Sequence, residues 1–354
     1  MLLMALIGSL AVVGAFVAFD GDDDGNNDDV GTGDDPVEKV DVNTALLGTD
    51  DTDLVFGTDD SDQISLGDGD DRGFGGAGDD TINGDAGADA LWGNEGSDDL
   101  YGNDGTDDMY GGSGDDFISG GAGADIQEGG AGNDRMTGGS GLDVMMGGDD
   151  DDVMNGSLGQ DYLQGDAGDD SLNGGYGSDG LHGGIGSDTL DGGAGNDLLN
   201  GGTTELDPSR SSPITLRQDF LEGERVNTVG DQSYRIVDDG NRDVLIGGDG
   251  DDRLIGGAGD ELTGGDGDDR FEVGYWLEAG DRATINDFNV DEDVMLYRYA
   301  GDVAPELAHD TVLNSDGTTD VEVTANGEVV AYLENVGDGF DPESHLILRQ
   351  STAA

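Results

Sequence analysis

The sequence predicts an all-β protein: a parallel β-roll (β-solenoid) of nine-residue repeats, closed by a β-rich C-terminal cap. Three observations predict this fold. Glycine and aspartate recur with a period of nine from residue 48 to residue 200, without an insertion or deletion. One apolar residue recurs at a fixed place in each period. Residues 273–354 contain short runs rich in apolar and β-branched residues, which are typical of strands.

The composition is strongly acidic. Of 354 residues, 82 are Asp or Glu and only 13 are Lys or Arg, so the formal net charge is −69. Such a chain repels itself unless its carboxylates are solvated or neutralised by cations. A phosphate backbone would be repelled, so we expect no nucleic acid partner. The chain has no cysteine, which excludes disulfides and thiolate metal sites.

The first 47 residues differ from the repeats that follow. Residues 1–19, MLLMALIGSLAVVGAFVAF, carry no charge and just reach the length of a membrane-spanning helix. They also fit a secretory signal, although a basic n-region and a clean A-x-A site are missing. A buried core helix is the third alternative. We therefore predict a hydrophobic signal or membrane anchor over 1–19, and a disordered acidic spacer over 20–47.

Seventeen nonapeptides follow one another between residues 48 and 200, from GTDDTDLVF to GGAGNDLLN. Position six is Asp in all of them, position one is Gly except at Leu66, and position eight is apolar except at Gly73 and Gln127. Gly73 and Gln127 are expected to be weak points, because each leaves the core without an apolar side chain. Position five varies, so an acid there, such as Asp115, is expected to add only local charge. Acidic residues that only add surface charge or disorder would not recur at one fixed position. The pattern therefore indicates a repeat architecture.

The repeat predicts its own local structure. Its last three residues form a short strand with position eight facing inward. Its glycine-rich first six residues form a turn, because glycine adopts backbone angles that other residues avoid. Two repeats complete one coil, and coils stack in parallel about 4.8 Å apart. Each position-six carboxylate then lies one coil spacing from the next, which like charges do not tolerate unaided.

A divalent cation between stacked turns resolves this repulsion. Calcium takes six to eight oxygen ligands from carboxylates and backbone carbonyls, whereas magnesium prefers octahedral geometry and keeps its waters. Zinc and copper favour His or Cys, and the chain has three scattered His. We therefore predict several Ca²⁺ ions. The predicted ligands of the first block are Asp53, Asp62, Asp71, Asp80, Asp89, Asp98, Asp107, Asp116, Asp125, Asp134, Asp143, Asp152, Asp161, Asp170, Asp179, Asp188 and Asp197.

The pattern G-G-x-G-x-D-x-U-x, with U apolar, resembles that of RTX (repeats-in-toxin) hemolysin-type calcium-binding repeats. The resemblance covers residues 48–202 and a second block, 238–272, in which one unit, GGAGDELT, is a residue short. It implies a parallel β-roll and export by type I secretion machinery that reads a C-terminal signal. The hydrophobic N-terminus of this chain is not typical of proteins exported by that route. In the second block the predicted metal ligands are Asp243, Asp252, Asp260 and Asp269.

Two segments lie outside the repeats. Residues 203–237 interrupt the array and hold four of the thirteen basic residues: Arg210, Arg217, Arg225 and Arg235. They are either a plain inserted excursion or a binding loop. Residues 273–354 are predicted to form the β-rich cap, with a hairpin turn at Asn326-Gly327 and the secretion signal. The run INDFNVDEDVML within them resembles a segment that closes RTX rolls.

One face of the roll is predicted to carry stacked aromatic residues. The ninth residues of alternate repeats include Phe56, Phe74, Trp92 and Tyr110. Either another part of the chain covers this stripe, or it is a platform for a glycan or a surface protein.

No catalytic motif such as H-E-x-x-H or G-x-S-x-G is present, and only 47 residues precede the first repeat. We expect a non-enzymatic, extracellular or cell-surface protein of structural or adhesive role that folds on binding extracellular calcium. The alternative is a secreted enzyme or toxin-like effector that uses the repeats as a secretion and folding tail.

Overall fold

The computed structural model describes residues 17–18, 46–205, 235–237, 239–277, 281–300, 302–315, 318–336 and 339–350. These residues form short strands and one single-turn helix, α1 (Pro342–His345). In chain order the strands are β1 (Val17–Ala18), β2 (Leu46–Leu47), β3 (Leu54–Phe56), β4 (Gln63–Ser65), β5 (Arg72–Ala77), β6 (Thr81–Gly87), β7 (Ala90–Glu95), β8 (Asp99–Gly105), β9 (Asp108–Ser113), β10 (Phe117–Ala122), β11 (Ile126–Ala131), β12 (Arg135–Gly141), β13 (Val144–Asp149), β14 (Val153–Gly159), β15 (Tyr162–Ala167), β16 (Ser171–Tyr176), β17 (Gly180–Ile185), β18 (Thr189–Ala194), β19 (Leu198–Asn200), β20 (Thr203–Glu205), β21 (Arg235–Val237), β22 (Val244–Asp249), β23 (Arg253–Ile255), β24 (Glu261–Asp266), β25 (Arg270–Gly274), β26 (Ala283–Ile285), β27 (Val294–Tyr299), β28 (Leu307–Leu313), β29 (Thr319–Ala325), β30 (Glu328–Leu333) and β31 (Leu346–Gln350).

Successive strands alternate between two long sheets. Sheet A contains the odd-numbered strands from β1 to β19 and continues through β23, β25, β27 and β31; sheet B contains the even-numbered strands from β2 to β18 and continues through β22, β24, β26, β30, β29 and β28. Within the array the pairing is parallel with an offset of eighteen residues, so that Ile118 pairs with Leu100 on one side and Met136 on the other. The prediction of a parallel β-roll with two repeats per coil is confirmed.

The strands are longer than the predicted three residues. Strand β10, for example, pairs with β12 first through residues 117–119 and then through Gly121 and Ala122 of the next repeat. The position-one residue between them, Gly120, is left out of the pairing. The turns therefore hydrogen-bond to one another as the strands do, because nearly every buried backbone amide and carbonyl needs a partner.

Position eight forms the core between the two sheets. Its side chains are almost fully buried along the array, as at Ile82, Leu100 and Met136. The expected weak point at Gly73 is absent from this core, because Leu66 of the same repeat is also fully buried and its Cδ1 lies 3.2 Å from where a Cβ of Gly73 would stand. The two departures from the motif therefore compensate each other.

Gln127 is the other departure in the core. It is fully buried, and its Nε2 donates to the carbonyl oxygen of Thr137 at 2.8 Å. Its Oε1 has no hydrogen-bond partner within the described part of the chain. A buried amide oxygen of this kind loses its hydration without compensation. The predicted weak point at Gln127 therefore has a definite physical cause.

The roll continues across the segment that interrupts the repeats. Leu190 pairs with Leu245 and Leu199 with Leu254, so β22 and β23 stack directly on the first block. Strands β20 and β21 form an antiparallel pair where the chain leaves and returns. Three arginines of this segment, Arg210, Arg217 and Arg225, lie outside the described residues.

The C-terminal region ends the roll with an antiparallel meander. Strand β30 pairs in parallel with β26, and β28, β29 and β30 pair antiparallel with one another. Asn326 and Gly327 form the predicted hairpin turn, with φ values of 53° and 86°. Strand β31 pairs in parallel with β27 and is the last strand of sheet A.

Most of the predicted signal or anchor and most of the acidic spacer lie outside the described residues. From residues 1–19 only β1 is described, and Val17 pairs antiparallel with Val55 at the start of sheet A. The described part of the chain has no α-helix with the length and hydrophobicity of a membrane span.

Replacing Gln127 with leucine is expected to stabilise the roll. The substitution removes a buried amide oxygen without a partner and adds apolar contact, so the free energy of unfolding should rise by about 1 kcal/mol. Thermal or denaturant unfolding at saturating calcium measures this. The matched control is Gly73→Leu, which should destabilise the protein because Leu66 and Ile82 already occupy that space. Unchanged or lower stability of Gln127→Leu would contradict the explanation.

Candidate metal centre

The position-six aspartates form two hydrogen-bonded ladders along the roll. All of them are buried, with exposed fractions between 0% and 8%. In each ladder the backbone N–H of one aspartate donates to Oδ1 of the aspartate one coil later: Asp98 to Asp116 at 2.8 Å and Asp116 to Asp134 at 2.8 Å. The same bond crosses the interruption, from the N–H of Asp188 to Oδ1 of Asp243 at 2.9 Å. The structure therefore brings together the aspartates that the nine-residue period identified as predicted metal ligands.

The second carboxylate oxygen points into the turn. In most rungs Oδ2 is buried and has no hydrogen-bond partner in the described structure: Asp71, Asp80, Asp89, Asp98, Asp116, Asp134, Asp152, Asp161, Asp170, Asp188, Asp197, Asp252 and Asp269. A buried, charged oxygen without a partner is strongly destabilising. A row of such atoms indicates that each turn is completed by a cation or by a proton.

The glycines of the turn leave room for the carboxylate oxygen and for the cation or proton that completes the turn. At position one, Gly111 lies against Oδ2 of Asp116, and a Cβ added there would overlap this oxygen and come within 2.8 Å of the Gly129 carbonyl oxygen. At positions two and four, Gly112 and Gly114 have φ values of 121° and 119°, which L-residues rarely adopt. The turns thus place carboxylate and carbonyl oxygens side by side, which is the ligand set that calcium prefers.

Side chains alone do not complete such a site. Among the described residues, no group of three or more His, Cys, Asp or Glu side chains is placed to hold a metal ion. A closed zinc centre needs that kind of cluster, whereas calcium accepts backbone carbonyls and water alongside carboxylates. The residues present therefore fit calcium held by one or two aspartates and the carbonyls of stacked turns.

The first two rungs differ from the others. Oδ2 of Asp53 accepts the backbone N–H of Thr49 at 2.6 Å, and Oδ2 of Asp62 accepts that of Thr58 at 2.6 Å. The threonine hydroxyls donate to the same oxygens. Because these carboxylates already have partners, the structure provides a weaker reason for an ion at Asp53 and Asp62 than in the rest of the array.

Burial changes the protonation of the ladder in the absence of a metal. Burial raises the pKa of Asp116 to about 7, the backbone N–H of Asp98 opposes the rise, and the neighbouring Asp134 carboxylate adds to it. The same causes raise the pKa of Asp152 to about 8. A metal-free roll would thus hold protons on these groups near neutral pH, and a cation would displace them.

The acids at position five contribute more than the local charge predicted for them. Oδ1 of Asp115 accepts the backbone N–H of Asn133 at 2.9 Å, and Oδ1 of Asp151 accepts that of Asp169 at 2.8 Å. These exposed bonds run from the later coil to the earlier one, opposite to the position-six ladder. The prediction for Asp115 was wrong, because coil stacking places a short side chain at this position within reach of the next turn.

The shortened unit GGAGDELT does not break the ladder. Oδ1 of Asp260 accepts the backbone N–H of Asp243 at 3.0 Å, and its Oδ2 accepts the backbone N–H of Gly257 at 2.5 Å. The offset falls from eighteen residues to seventeen, and Leu262 still pairs with Leu245. The lost residue is therefore absorbed within the turn.

Sequence reasoning missed the last rung, Asp293. Its Oδ1 accepts the backbone N–H of Asp269 at 2.9 Å, and its Oδ2 accepts that of Asn289 at 2.7 Å. Asp293 lies outside any nonapeptide, but the residues that follow it, Val-Met-Leu, repeat the x-U-x tail with Met295 buried in the core. That four-residue signal could have identified it.

The predicted aromatic ladder is present on sheet A. Phe56, Phe74, Trp92 and Tyr110 stack with ring centroids 4.9, 4.5 and 5.5 Å apart and nearly parallel planes. All four side chains are partly exposed. In this arrangement the rings of Phe74 and Trp92 each face a neighbouring ring on both sides.

Comparison with known proteins gives one family match. The profile of the RTX calcium-binding nonapeptide repeat (4 copies) matches residues 47–82, 67–100, 74–109, 101–136, 128–163, 155–190, 174–203 and 235–260, which together are just over half of the chain. No curated protein matches the sequence. A crystal structure of a hyperactive, Ca²⁺-dependent, β-helical antifreeze protein from an Antarctic bacterium is similar at 18% identity and a TM-score of 0.26, over 76% of this chain and 88% of that one.

The pKa shifts predict how acid affects the metal-free protein. The folded-state pKa values near 7, as at Asp116 and Asp188, lie above the unfolded value of 3.8. The resulting stability is full below the unfolded pKa and is lost as pH rises through the folded pKa. In EDTA, circular dichroism should therefore show more β-structure at about pH 4 than at about pH 8.

When calcium is present, lowering the pH has the opposite effect on stability, because protons and calcium compete for the same oxygens. Calcium affinity should fall as pH is lowered from about 8 to about 6. Equal β-signal at both pH values in EDTA, with calcium affinity independent of pH, would contradict the assignment of protons and ions to these carboxylates.

Proposed function

This chain belongs to the family of RTX calcium-binding nonapeptide repeats, and on that premise we propose that it is an exported protein that folds on binding extracellular calcium. It is a calcium-binding β-roll protein that takes several Ca²⁺ ions. The position-six aspartates of both blocks are the proposed ligands, joined by the turn carbonyls around them. The proposal depends mainly on one observation, the row of buried Oδ2 atoms without a hydrogen-bond partner.

Folding and ion binding are coupled in this proposal. The core contains a single inward side chain per repeat, as at Leu91 and Leu100, while the chain carries a net charge of −69. Burial of so few apolar groups hardly offsets the ordering entropy of a glycine-rich chain. Extracellular calcium modules bind at roughly 10⁻⁴ to 10⁻³ M, and in such systems the binding energy is folding energy.

The same coupling suits export. In a cytoplasm poor in calcium the carboxylates repel one another and the chain stays unfolded, as passage through a narrow exporter requires. We propose an extracellular or cell-surface location, with type I secretion machinery as a partner and its signal within residues 273–354. Cell fractionation, combined with N-terminal sequencing of the mature protein, tests the location and the fate of residues 1–19.

The biological role proposed is structural or adhesive. The repeats that fill most of the described chain are of a structural, calcium-binding type, which supports this role. That the chain is not an enzyme stays a prediction. The alternative, a secreted enzyme or effector with the repeats as a folding tail, predicts a chemical activity of the full, calcium-loaded protein in an activity screen.

Removal of calcium is expected to unfold the roll. In EDTA near pH 8 the circular dichroism spectrum should be that of a disordered chain, and millimolar calcium should restore the β signal, because the buried carboxylates need a counter-ion. Magnesium at the same concentration is the control and should restore less of the signal. A β spectrum that EDTA leaves unchanged would remove the central proposal.

The aromatic ladder is a second candidate functional surface, for a glycan or a surface protein. Its four stacked, partly exposed rings on one face favour a contact role. Because both faces of Phe74 and Trp92 are against other rings, these two offer ring edges rather than faces. Sugar rings stack on aromatic faces, so the geometry favours a protein partner over a glycan.

A double variant, Trp92→Ala/Tyr110→Ala, tests this surface. Binding to the partner, screened on cell surfaces and glycan arrays, should weaken by about tenfold or more, since buried aromatic anchors dominate contact energy. The matched control is Tyr101→Ala/Phe117→Ala, which removes a tilted aromatic pair with centroids 5.6 Å apart from sheet B. Equal binding by wild type and the Trp92/Tyr110 variant would dismiss the ladder as a contact surface.

A further inference from the structure

The last repeat turn, residues 264–269, has no further nonapeptide above it. In the array, each turn is covered by the turn of the next coil, which supplies both an acceptor for its backbone N–H groups and the next aspartate of the ladder. For this last turn, residues of the cap supply both. The replacements come from the loop between β26 and β27.

The ladder position above Asp269 is filled by Asp293. The bond from the backbone N–H of Asp269 to Oδ1 of Asp293 is 2.9 Å, the same length as that between Asp252 and Asp269 within the repeats. Asp293 is 3% exposed, so it is as buried as the repeat aspartates. An aspartate outside the motif thus occupies the place of a position-six residue.

The backbone N–H groups that start the turn are covered by Asp287. The N–H of Gly264 donates to Oδ1 of Asp287 at 2.9 Å, and the N–H of Gly265 donates to its Oδ2 at 2.9 Å. In the array the position-one N–H instead donates to a backbone carbonyl of the next coil, as from Gly57 to Phe74 at 2.6 Å. A carboxylate therefore stands where the missing coil would have placed a neutral acceptor.

The aspartate of the last repeat turn keeps one unpartnered oxygen. Oδ2 of Asp269 is buried, and it has no hydrogen-bond partner in the described structure. A Cβ on Gly264 would overlap this oxygen and come within 2.9 Å of Cζ of Phe271, so only glycine fits beside it. Asp269 also experiences the negative charges of both Asp293 and Asp287. Two carboxylates of the cap thus accept backbone N–H groups of the last turn, and the Asp269 carboxylate of that turn keeps one unpartnered oxygen.

We propose that Asp269, Asp287 and Asp293 line a terminal Ca²⁺ site that the repeat motif does not encode. The carbonyls of the turn complete its ligand set, since the three carboxylates alone are not placed to hold a metal. The inference rests on the proposed role of the position-six aspartates. It adds a site in which the cap, rather than a further repeat, supplies the carboxylates opposite the last turn.

This ion would tie the cap to the roll. Between the two cap aspartates, Phe288 packs into the main core with its ring 6.0 Å from that of Phe271. The Asp287–Asp293 loop and the β26–β27 strands that flank it are therefore expected to order when the terminal ion binds.

The test uses the full chain and a local fluorescence probe. The chain has two tryptophans, Trp92 in the array and Trp276 near the cap. The indole N–H of Trp276 donates to the carbonyl of Gly256 at 3.0 Å, so its emission reports on the last coils. In a Trp92→Phe background, calcium titrations would follow Trp276, while equilibrium dialysis would count bound calcium per chain.

Asp293→Asn and Asp287→Asn are each expected to bind one ion fewer than the parent, and to shift the Trp276 midpoint to about tenfold higher calcium. The control is Asp291→Asn, an exposed aspartate of the same loop, which should change neither quantity. Asp134→Asn, in the middle of the array, should also lose an ion but leave the Trp276 midpoint nearly in place.

Full stoichiometry and an unchanged midpoint in both cap variants would overturn the terminal site while leaving the repeat sites intact. Loss of the β signal over the whole chain at saturating calcium would overturn it as well, because the effect is confined to the last turn. A parent protein that binds no calcium would instead refute the proposed function itself.

Discussion

The hydrogen bond from the backbone N–H of each position-six aspartate to Oδ1 of the next aspartate in its ladder underlies the rest of the structure. It joins coil to coil, and it holds across the interruption between Asp188 and Asp243 at 2.9 Å. The same bond fixes the carboxylate in a buried site where its other oxygen faces only the turn. The fold therefore needs a cation or a proton at that oxygen, because burial of an unpaired charge is strongly unfavourable.

The remaining features of the roll follow from this constraint. Glycines at the turn corners are needed because a Cβ would overlap the carboxylate or a stacked carbonyl, as at Gly111 and Gly112. The core contains one inward residue per repeat, so apolar burial alone hardly offsets the entropy lost on ordering a glycine-rich chain. A residue at position eight that is not apolar is tolerated where a neighbour fills the core, as Leu66 does beside Gly73. It lowers stability where no neighbour compensates, as at Gln127, whose buried Oε1 has no partner in the described structure.

Where the repeats end, guanidinium groups neutralise a buried carboxylate. Glu272 on β25 is fully buried between Arg253 and Arg298, whose Nε atoms lie 2.7 and 2.6 Å from its two carboxylate oxygens. Although burial raises it, the pKa of Glu272 is held below its ordinary value by these two arginines. Buried carboxylates thus have two kinds of surroundings: in most repeats one oxygen has no partner in the described structure and is the proposed place of an ion, whereas at the junction with the cap two arginines pair with Glu272.

The sequence by itself determined the period, the ladder aspartates, the inward residues and the aromatic stack, because each of these depends on a register that the nine-residue repeat makes visible. The tertiary structure alone decided which side chains hydrogen-bond to residues that lie eighteen or more positions away in the sequence. It gave Asp115 a backbone partner in the next coil and made Asp293 the last rung. It also buried Ile126 and Val144 on the outward face of sheet A, where the alternation predicts exposure. These outcomes depend on coil stacking and on the cap, which no single repeat encodes.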